Sequence, residues 1–451
     1  MHTPNLKPNT RTLLLIIGVA IALRVAVALL MGDRVDPLPG IHDQISYSAL
    51  AQRVATGHGF SFDRPWYPFS KANEPTAHWS FLYTLYLAAF YWLTGYHPFV
   101  PRLVQAVVVG LLTPVLTYRL GRRLFGHRVG LVAAAWSAVY GYLVYYSGAL
   151  FTEPFYIVAV LWAFDLSLRI ADTDGPAAFD WVALGTAIGI ATVLRQVFLL
   201  FAPFLFAWLW WVRRQAVDDR RQTGVHRRSS VAGLLLTTLV IAAFILPWTI
   251  RNYRAYGHFL LLNSNGGYFM YSANDPANAE HFSSIYVAPI PDEWRQYNEA
   301  ELDQLLWRQG MAFFLQDPTH SLRLVGYKAA AFYKFWPSAA SSLPSNINRV
   351  FSFAIYLPFL FYGLYRTIVN CQLSIDNRKS VTLLLLFGTV YPAIHLLSWS
   401  LIRYRVPVDA VLMPFAALGL LTTAERLLPA SWQWWNKGQA KGEIQPCASS
   451  S

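Results

Sequence analysis

Apolar residues in this chain run together instead of alternating with polar ones. Roughly ten windows of about sixteen to twenty-two mostly apolar residues recur, and each approaches the ~20 residues needed to cross ~30 Å of hydrocarbon. The predicted spans are Thr12–Met31, Phe99–Leu120, Val129–Ser147, Phe155–Ile170, two short spans within Trp181–Trp211, Val231–Ile250, Phe351–Tyr365, Val381–Trp399 and Val408–Thr423. The run from Trp181 to Trp211 needs dividing because a single helix of that length would extend roughly 46 Å, too long for the hydrocarbon core even when tilted. Its polar interruption, Arg195-Gln196, is the expected joint. The segment Trp79–Leu93 is short, dense in Trp, Tyr and Phe, and follows a polar stretch, which predicts a helix lying in the headgroup plane.

Charge orients these spans. Lys7 and Arg11 precede the first one, and clusters such as Arg119, Arg122, Arg123 and Arg128, or Arg213, Arg214, Arg220, Arg221, Arg227 and Arg228, fall in alternate links. The positive-inside rule makes those links cytoplasmic and puts the loops of about 32–98 and 251–348 outside. The composition agrees, with 55% hydrophobic and only 13% charged residues in 451. The net charge of +12 is thus accounted for without nucleic acid. The expected architecture is an all-α, polytopic membrane protein of about ten transmembrane helices, with interfacial helices in the first outer loop. Residues 1–430 are expected to form the integral membrane domain and 431–451 a disordered cytoplasmic tail. Leu30-Met31-Gly32-Asp33 offers no signal-peptidase site, so the first span is expected to be retained. Cys371 and Cys447 both fall in cytoplasmic segments, where no disulfide is expected. No Walker or Rossmann glycine pattern and no Cys/His metal spacing occurs.

Inside the second outer loop, Asn263-Ser264-Asn265-Gly266-Gly267-Tyr268 reads as a turn-rich surface loop, and an amphipathic helix is expected from Asp317-Pro318 to Trp336. The predicted topology brings three carboxylates to the outer face at membrane level: Asp43, Glu74 and Glu153. Facing them are Arg195, Arg251, Arg254, Arg403, Arg405 and His78. Carboxylates among cations at a water–lipid boundary suit attack on a sugar attached to a lipid phosphate. A carboxylate takes the acceptor's proton, worth ~10²- to 10⁴-fold, while arginines stabilise charge on the departing phosphate. The planar guanidinium fork matches phosphate oxygens better than an ammonium does. Plainer readings stand beside this one. Asp43 suits the N-cap of a helix beginning near Gln44, Glu153 suits a first helical turn, and Arg195 suits a snorkelling helix end. Arg24, inside the first span, suits either an intramembrane ion pair or a lipid-phosphate contact.

A set of motifs occurs in order along the chain. Asp43 is followed by Tyr47 and Ala51, then come Pro75-Thr76-Ala77-His78-Trp79, Arg102-Leu103, Tyr118-Arg119-Leu120-Gly121-Arg122-Arg123, Leu150-Phe151-Thr152-Glu153-Pro154, Pro247-Trp248-Thr249-Ile250-Arg251-Asn252-Tyr253 and Arg403-Tyr404-Arg405-Val406-Pro407. This order resembles the GT-C glycosyltransferases, in the bacterial branch of the protein O-mannosyltransferase and lipid A aminoarabinose transferase group. The resemblance implies a transferase that moves a sugar from a polyprenyl-phosphate donor to a lipid, glycan or protein acceptor at the outer face of the cytoplasmic membrane. Asp43 matches the catalytic acidic position of the first loop and Glu153 that of the second. Arg195 and Arg403-Tyr404-Arg405 fall where donor-phosphate contacts are expected, and His78 and Arg251 complete the expected substrate-binding set. Two departures stand out. Asp43 is followed by Gln44 where the family often has a second acid, so a bound divalent metal is left open without support and no cofactor is expected. Glu74 stands where some members carry a phosphate-binding lysine. Membrane lipids, the donor and an unknown acceptor are the expected partners. A transporter or lipid flippase, and a ligase or polymerase using a diphosphate-linked donor, are the alternatives.

Overall fold

The structure, a computed structural model, describes residues 8–37, 42–66, 68–219, 225–278, 286–339, 341–369 and 375–427. Both cysteines and the tail of 431–451 lie outside the described residues, as do Arg220 and Arg221. Among the described residues the regular elements are helices, with isolated β-bridges confined to the first loop. The helices are α1 (Pro8–Met31), α2 (Asp43–Ala55), α3 (Phe81–Thr94), α4 (Phe99–Phe125), α5 (His127–Val139), α6 (Gly141–Gly148), α7 (Glu153–Asp172) and α8 (Ala178–Leu194). They continue as α9 (Phe198–Asp219), α10 (Val225–Tyr256), α11 (Gly266–Asn274), α12 (Glu299–Gln316), α13 (Pro318–Phe332), α14 (Leu343–Val369), α15 (Ile375–Leu397) and α16 (Ile402–Leu427).

Seven of these are long and apolar enough to cross a membrane: α1, α4, α7, α10, α14, α15 and α16. The pair α5–α6, bent by 49°, makes an eighth if it counts as one span. The sequence reading of about ten is therefore approximate, and the difference lies in α8, apolar but only 17 residues long, and α9. The expected joint between them is present. Leu194 ends α8, Arg195 is extended, and the helix resumes at Phe198. The predicted headgroup-plane helix is α3, whose 14 residues are too few to cross.

Without a hydrophobic driving force between spans, close backbone approach matters most. It is tightest between α14 and α16, where a Cβ on Gly363 would lie 1.8 Å from the Phe415 carbonyl oxygen and one on Gly419 2.0 Å from that of Phe359. Only glycine fits at either position. The intramembrane Arg24 takes neither role expected of it. It is fully buried and donates to the carbonyls of Ala20 (3.1 Å), Ser137 (3.0 Å) and Ala138 (3.1 Å). Two of those carbonyls end α5, where the kink at Tyr140 leaves them without helical partners, so this cation repairs a helix break.

The long loop after α10 is built, not merely turn-rich. Asn263 and Ser264 are buried, and α11 starts at Gly266. Glu299 is the hub between the two long loops, accepting hydrogen bonds from Thr76 Oγ1 (3.1 Å), Ala77 N (2.8 Å), Ser70 Oγ (3.5 Å) and Ser264 Oγ. Asp317 caps α13 by accepting from His320 N at 2.9 Å, which gives the expected amphipathic helix its start.

Candidate active site

Four helix ends bring charge to one place. Asp43 opens α2, Glu153 opens α7, Arg195 closes α8 and Arg403 sits in the first turn of α16. Asp43 is not the helix cap. The N-cap is His42, and the Asp43 carboxylate instead meets Arg403 Nη1 at 2.5 Å. Arg403 Nε lies 3.4 Å from Glu153 Oε1, and Arg195 Nη1 pairs with that same oxygen. The order is Asp43–Arg403–Glu153–Arg195, two acids interleaved with two guanidinium groups. Its two acids differ in access, because the Asp43 side chain is 38% exposed while that of Glu153 is 1% exposed. Glu153 does occupy a first helical turn, so the dipole reading and the ion-pair reading hold together.

Aromatic faces orient the two arginines. Arg195 lies over Tyr404 at 4.3 Å from the ring centre and over Tyr156 at 5.8 Å; Arg403 lies over Tyr404 at 5.2 Å. Tyr404 is in turn stacked on His395 at 4.6 Å. A guanidinium held against a ring keeps its edge free for a planar anion. His78 is packed by Phe69 (5.6 Å), Trp79 (4.6 Å) and Phe269 (6.2 Å), and its buried Nδ1 has no hydrogen-bond partner. Burial lowers its pKa to about 4 against the opposing pull of Asp43, so the imidazole is neutral at physiological pH. For Asp43, burial raises the pKa, but Arg403, Arg195 and His78 outweigh it and hold the carboxyl below its ordinary value.

Several residues expected here are elsewhere. Arg405 is fully buried, paired with Asp409 at 3.1 Å, donating to the Phe332 carbonyl at 2.7 Å and lying on Phe353 at 3.2 Å. It braces the bundle. Arg251 reaches Asn252 Oδ1 (3.1 Å) and the Phe60 carbonyl (3.4 Å) between the rings of Phe60, Phe81 and Tyr256, where it packs the first loop onto α10. Arg254 is exposed. Glu74 is exposed too and faces Lys71 at 3.9 Å, so it is not a third acid of the cluster.

The sequence reading missed what holds the cluster together. Gln196, beside Arg195, donates to the Asn263 carbonyl (3.2 Å) and Asn265 Oδ1 (2.8 Å), and its own oxygen accepts from Asn263 N (3.1 Å). Asn263 Nδ2 then donates to the carbonyls of Ala77 (2.9 Å) and Trp79 (2.8 Å), on either side of His78. Gln44 is buried; it accepts from Leu150 N at 3.5 Å and donates to the Asp36 carbonyl. The amides that replace a second acid and a surface turn thus fasten α2 and His78 to the helix ends. The only sequence signal for them was their adjacency to Asp43 and Arg195.

Among the described residues, no three His, Cys, Asp or Glu side chains gather as metal ligands. The two acids of the cluster are each engaged by arginine, a donor set that fits an anion displacing carboxylate from guanidinium better than it fits a hard cation.

Residues 78–248 match the family described as dolichyl-phosphate-mannose-protein mannosyltransferase, a stretch that holds His78, Glu153 and Arg195 but neither Asp43 nor Arg403. No curated protein sequence matches the chain. Among solved structures, the oligosaccharyltransferase AglB of Archaeoglobus fulgidus, in complex with an inhibitory peptide and a dolichol-phosphate, is similar over 96% of this chain and 52% of its own, with TM-score 0.56 and 16% identity. The Archaeoglobus fulgidus oligosaccharyltransferase tethered to an acceptor peptide gives TM-score 0.54 at 16% identity, over 92% of this chain and 50% of that one. This chain therefore spans about half the length of those proteins. ArnT of Cupriavidus metallidurans bound to undecaprenyl phosphate is more distant, with TM-score 0.39 and 14% identity over 92% of this chain and 79% of its own. The fold is thus that of the archaeal oligosaccharyltransferase, in a multi-pass membrane protein.

Proposed function

We propose that this chain is a glycosyltransferase that takes a sugar from a polyprenyl-phosphate donor and passes it to a lipid, glycan or protein hydroxyl at the outer face of the cytoplasmic membrane. The observation that carries the reading is the alternation of Asp43, Arg403, Glu153 and Arg195 at the ends of four helices. The family match over 78–248 supports it from the sequence side.

In this reading the donor phosphate takes the place of carboxylate oxygens on Arg195 and Arg403, whose ring-backed guanidinium groups stabilise charge as the phosphate leaves. Tyr404 is their common support. Asp43, the more accessible acid and ionised at neutral pH, accepts the acceptor's hydroxyl proton as that oxygen attacks the anomeric carbon. The sugar–phosphate bond breaks on the opposite face, so the anomeric centre inverts. Glu153, buried between the two arginines, keeps them oriented and balances their charge while the site is empty of donor. His78 stands beside Asp43 as a neutral ring, fixed by Phe69, Trp79 and Phe269. No cofactor enters the scheme, because arginine supplies the positive charge.

The test is Asp43→Asn, which keeps the shape of the side chain and removes its basicity. Membrane glycolipids and glycans of cells carrying this variant, compared by mass spectrometry with wild type and a deletion, should resemble the deletion. Wild-type product from a folded Asp43→Asn protein would overturn the reading.

A further inference from the structure

A cavity of about 370 Å³ lies between the two outer loops, within the range of small-molecule sites. None of its lining belongs to a helix long enough to cross the membrane; all of it comes from residues 65–75 and 290–302. Its floor is rigid, because Ser70 and Glu299 are tied together and Glu299 is tied onward to Thr76, Ala77 and Ser264. Two of its walls lead toward the catalytic helix. Trp66 Nε1 donates to Ser46 Oγ on α2 at 2.8 Å, one helical turn from Asp43, and Phe69 packs edge-on against His78 at 5.6 Å.

The chemistry of the lining narrows the occupant. Hydrogen-bonding ends come from Ser70, Lys71, Glu74, Arg295, Tyr297 and Glu299, with aromatic faces between them. Two cations and two acids balance, so the cavity selects neither a polyanion nor a polycation. A lipid tail would take Lys71, Glu74 and Arg295, all exposed to water, out of that water for only surface ion pairs in return. A peptide adding as a strand would need free backbone, but this stretch of loop pairs with itself: Trp66 N donates to the Ser70 carbonyl at 2.8 Å and Ser70 N to that of Trp66 at 2.9 Å. What remains is a ligand bearing many hydroxyls on a compact apolar ring face. We propose that this cavity holds the uncharged saccharide portion of the acceptor, feeding its hydroxyl past Phe69 and His78 to Asp43. This rests on the transferase reading and specifies its acceptor.

The test is a photo-crosslinker at the rim. Tyr297 is 39% exposed, so Tyr297→p-benzoylphenylalanine leaves the floor intact. Illuminated cells should yield an adduct that is periodate-sensitive and protease-resistant. A protein adduct, an adduct containing only extractable lipid, or no adduct from a normally expressed protein overturns the proposal. Combining this substitution with Asp43→Asn separates the two claims. If the saccharide adduct persists while product is lost, both stand. If product survives Asp43→Asn while the adduct forms, only the transferase assignment to Asp43 fails; a lost adduct with Asp43→Asn otherwise inactive sinks only the cavity.

Discussion

Arg403 and Arg405 are two residues apart on one helix and live in different worlds. Successive positions at that spacing point to nearly opposite sides of a helix. Arg403 turns toward the starts of α2 and α7, where it bridges two acids that come from other helices. Arg405 turns inward, where its acid, Asp409, is on its own helix one turn away and is also held by Tyr140 Oη at 2.8 Å. The first arrangement can exchange a carboxylate for an incoming anion. The second is closed, with Phe332, Phe353 and Tyr142 filling the space around it. A buried pair of that kind is a structural commitment, whereas a partly open one leaves its cation within reach of an incoming anion.

Breaking the closed pair should give the largest effect. Arg405→Ala leaves Asp409 buried without its cation, a change of roughly 3–5 kcal/mol, to be read as lost thermal stability and low yield in detergent. Replacing both members, Arg405→Met with Asp409→Leu, should restore much of that stability, and failure to do so would place Arg405 among the functional residues after all. Arg403→Ala should do the opposite: transfer falls by about 10²- to 10³-fold, the loss typical of one preorganised donor, while the melting temperature changes little. Arg195→Lys sharpens the comparison further. It keeps the charge but not the fork, so we expect a weaker donor KM and a modest fall in kcat.

A smaller effect tests the packing of α11 on α12. Burial raises the Asp303 carboxyl pKa to about 7, with Gly267 N pulling it down and Glu299 pushing it up. A folded-state pKa above the unfolded one means that the stability Asp303 contributes is full below about pH 4 and is lost as pH rises through about 7. Asn at this position cannot ionise and still accepts from Gly267 N, which Asp303 Oδ1 now does at 2.7 Å. Asp303→Asn should therefore be more stable than wild type above pH 7, by roughly 1–3 kcal/mol, with the gap closing toward pH 4. Thermal melts at pH 4.5 and 8 measure it. Smallest of all is the effect of a chelator, which should leave transfer unchanged where arginine carries the positive charge.

Reading the chain alone located the acids and arginines of the cluster but could not sort them. Asp43, Glu153, Arg195 and Arg403 come together; Glu74, Arg251, Arg254 and Arg405, equally plausible by residue type and predicted face, do not. The reason is local geometry. Glu74 sits in an exposed turn beside a lysine, and Arg251 is drawn under aromatic rings of the first loop. The Asn263 turn misled for a related cause, since polar residues that bond inward look the same in sequence as those that face water.

The sequence by itself determined the membrane class, the approximate spans and the break at Arg195. Those properties follow from runs of apolar residues and the cost of burying charge in lipid, which act along the chain and within a few helical turns. Only the tertiary structure decided which cation meets which acid. Asp43 and Arg403 are 360 positions apart, and their pairing depends on the rotation of α16 about its axis, set by glycine contacts and by the Arg405–Asp409 pair on its inner side.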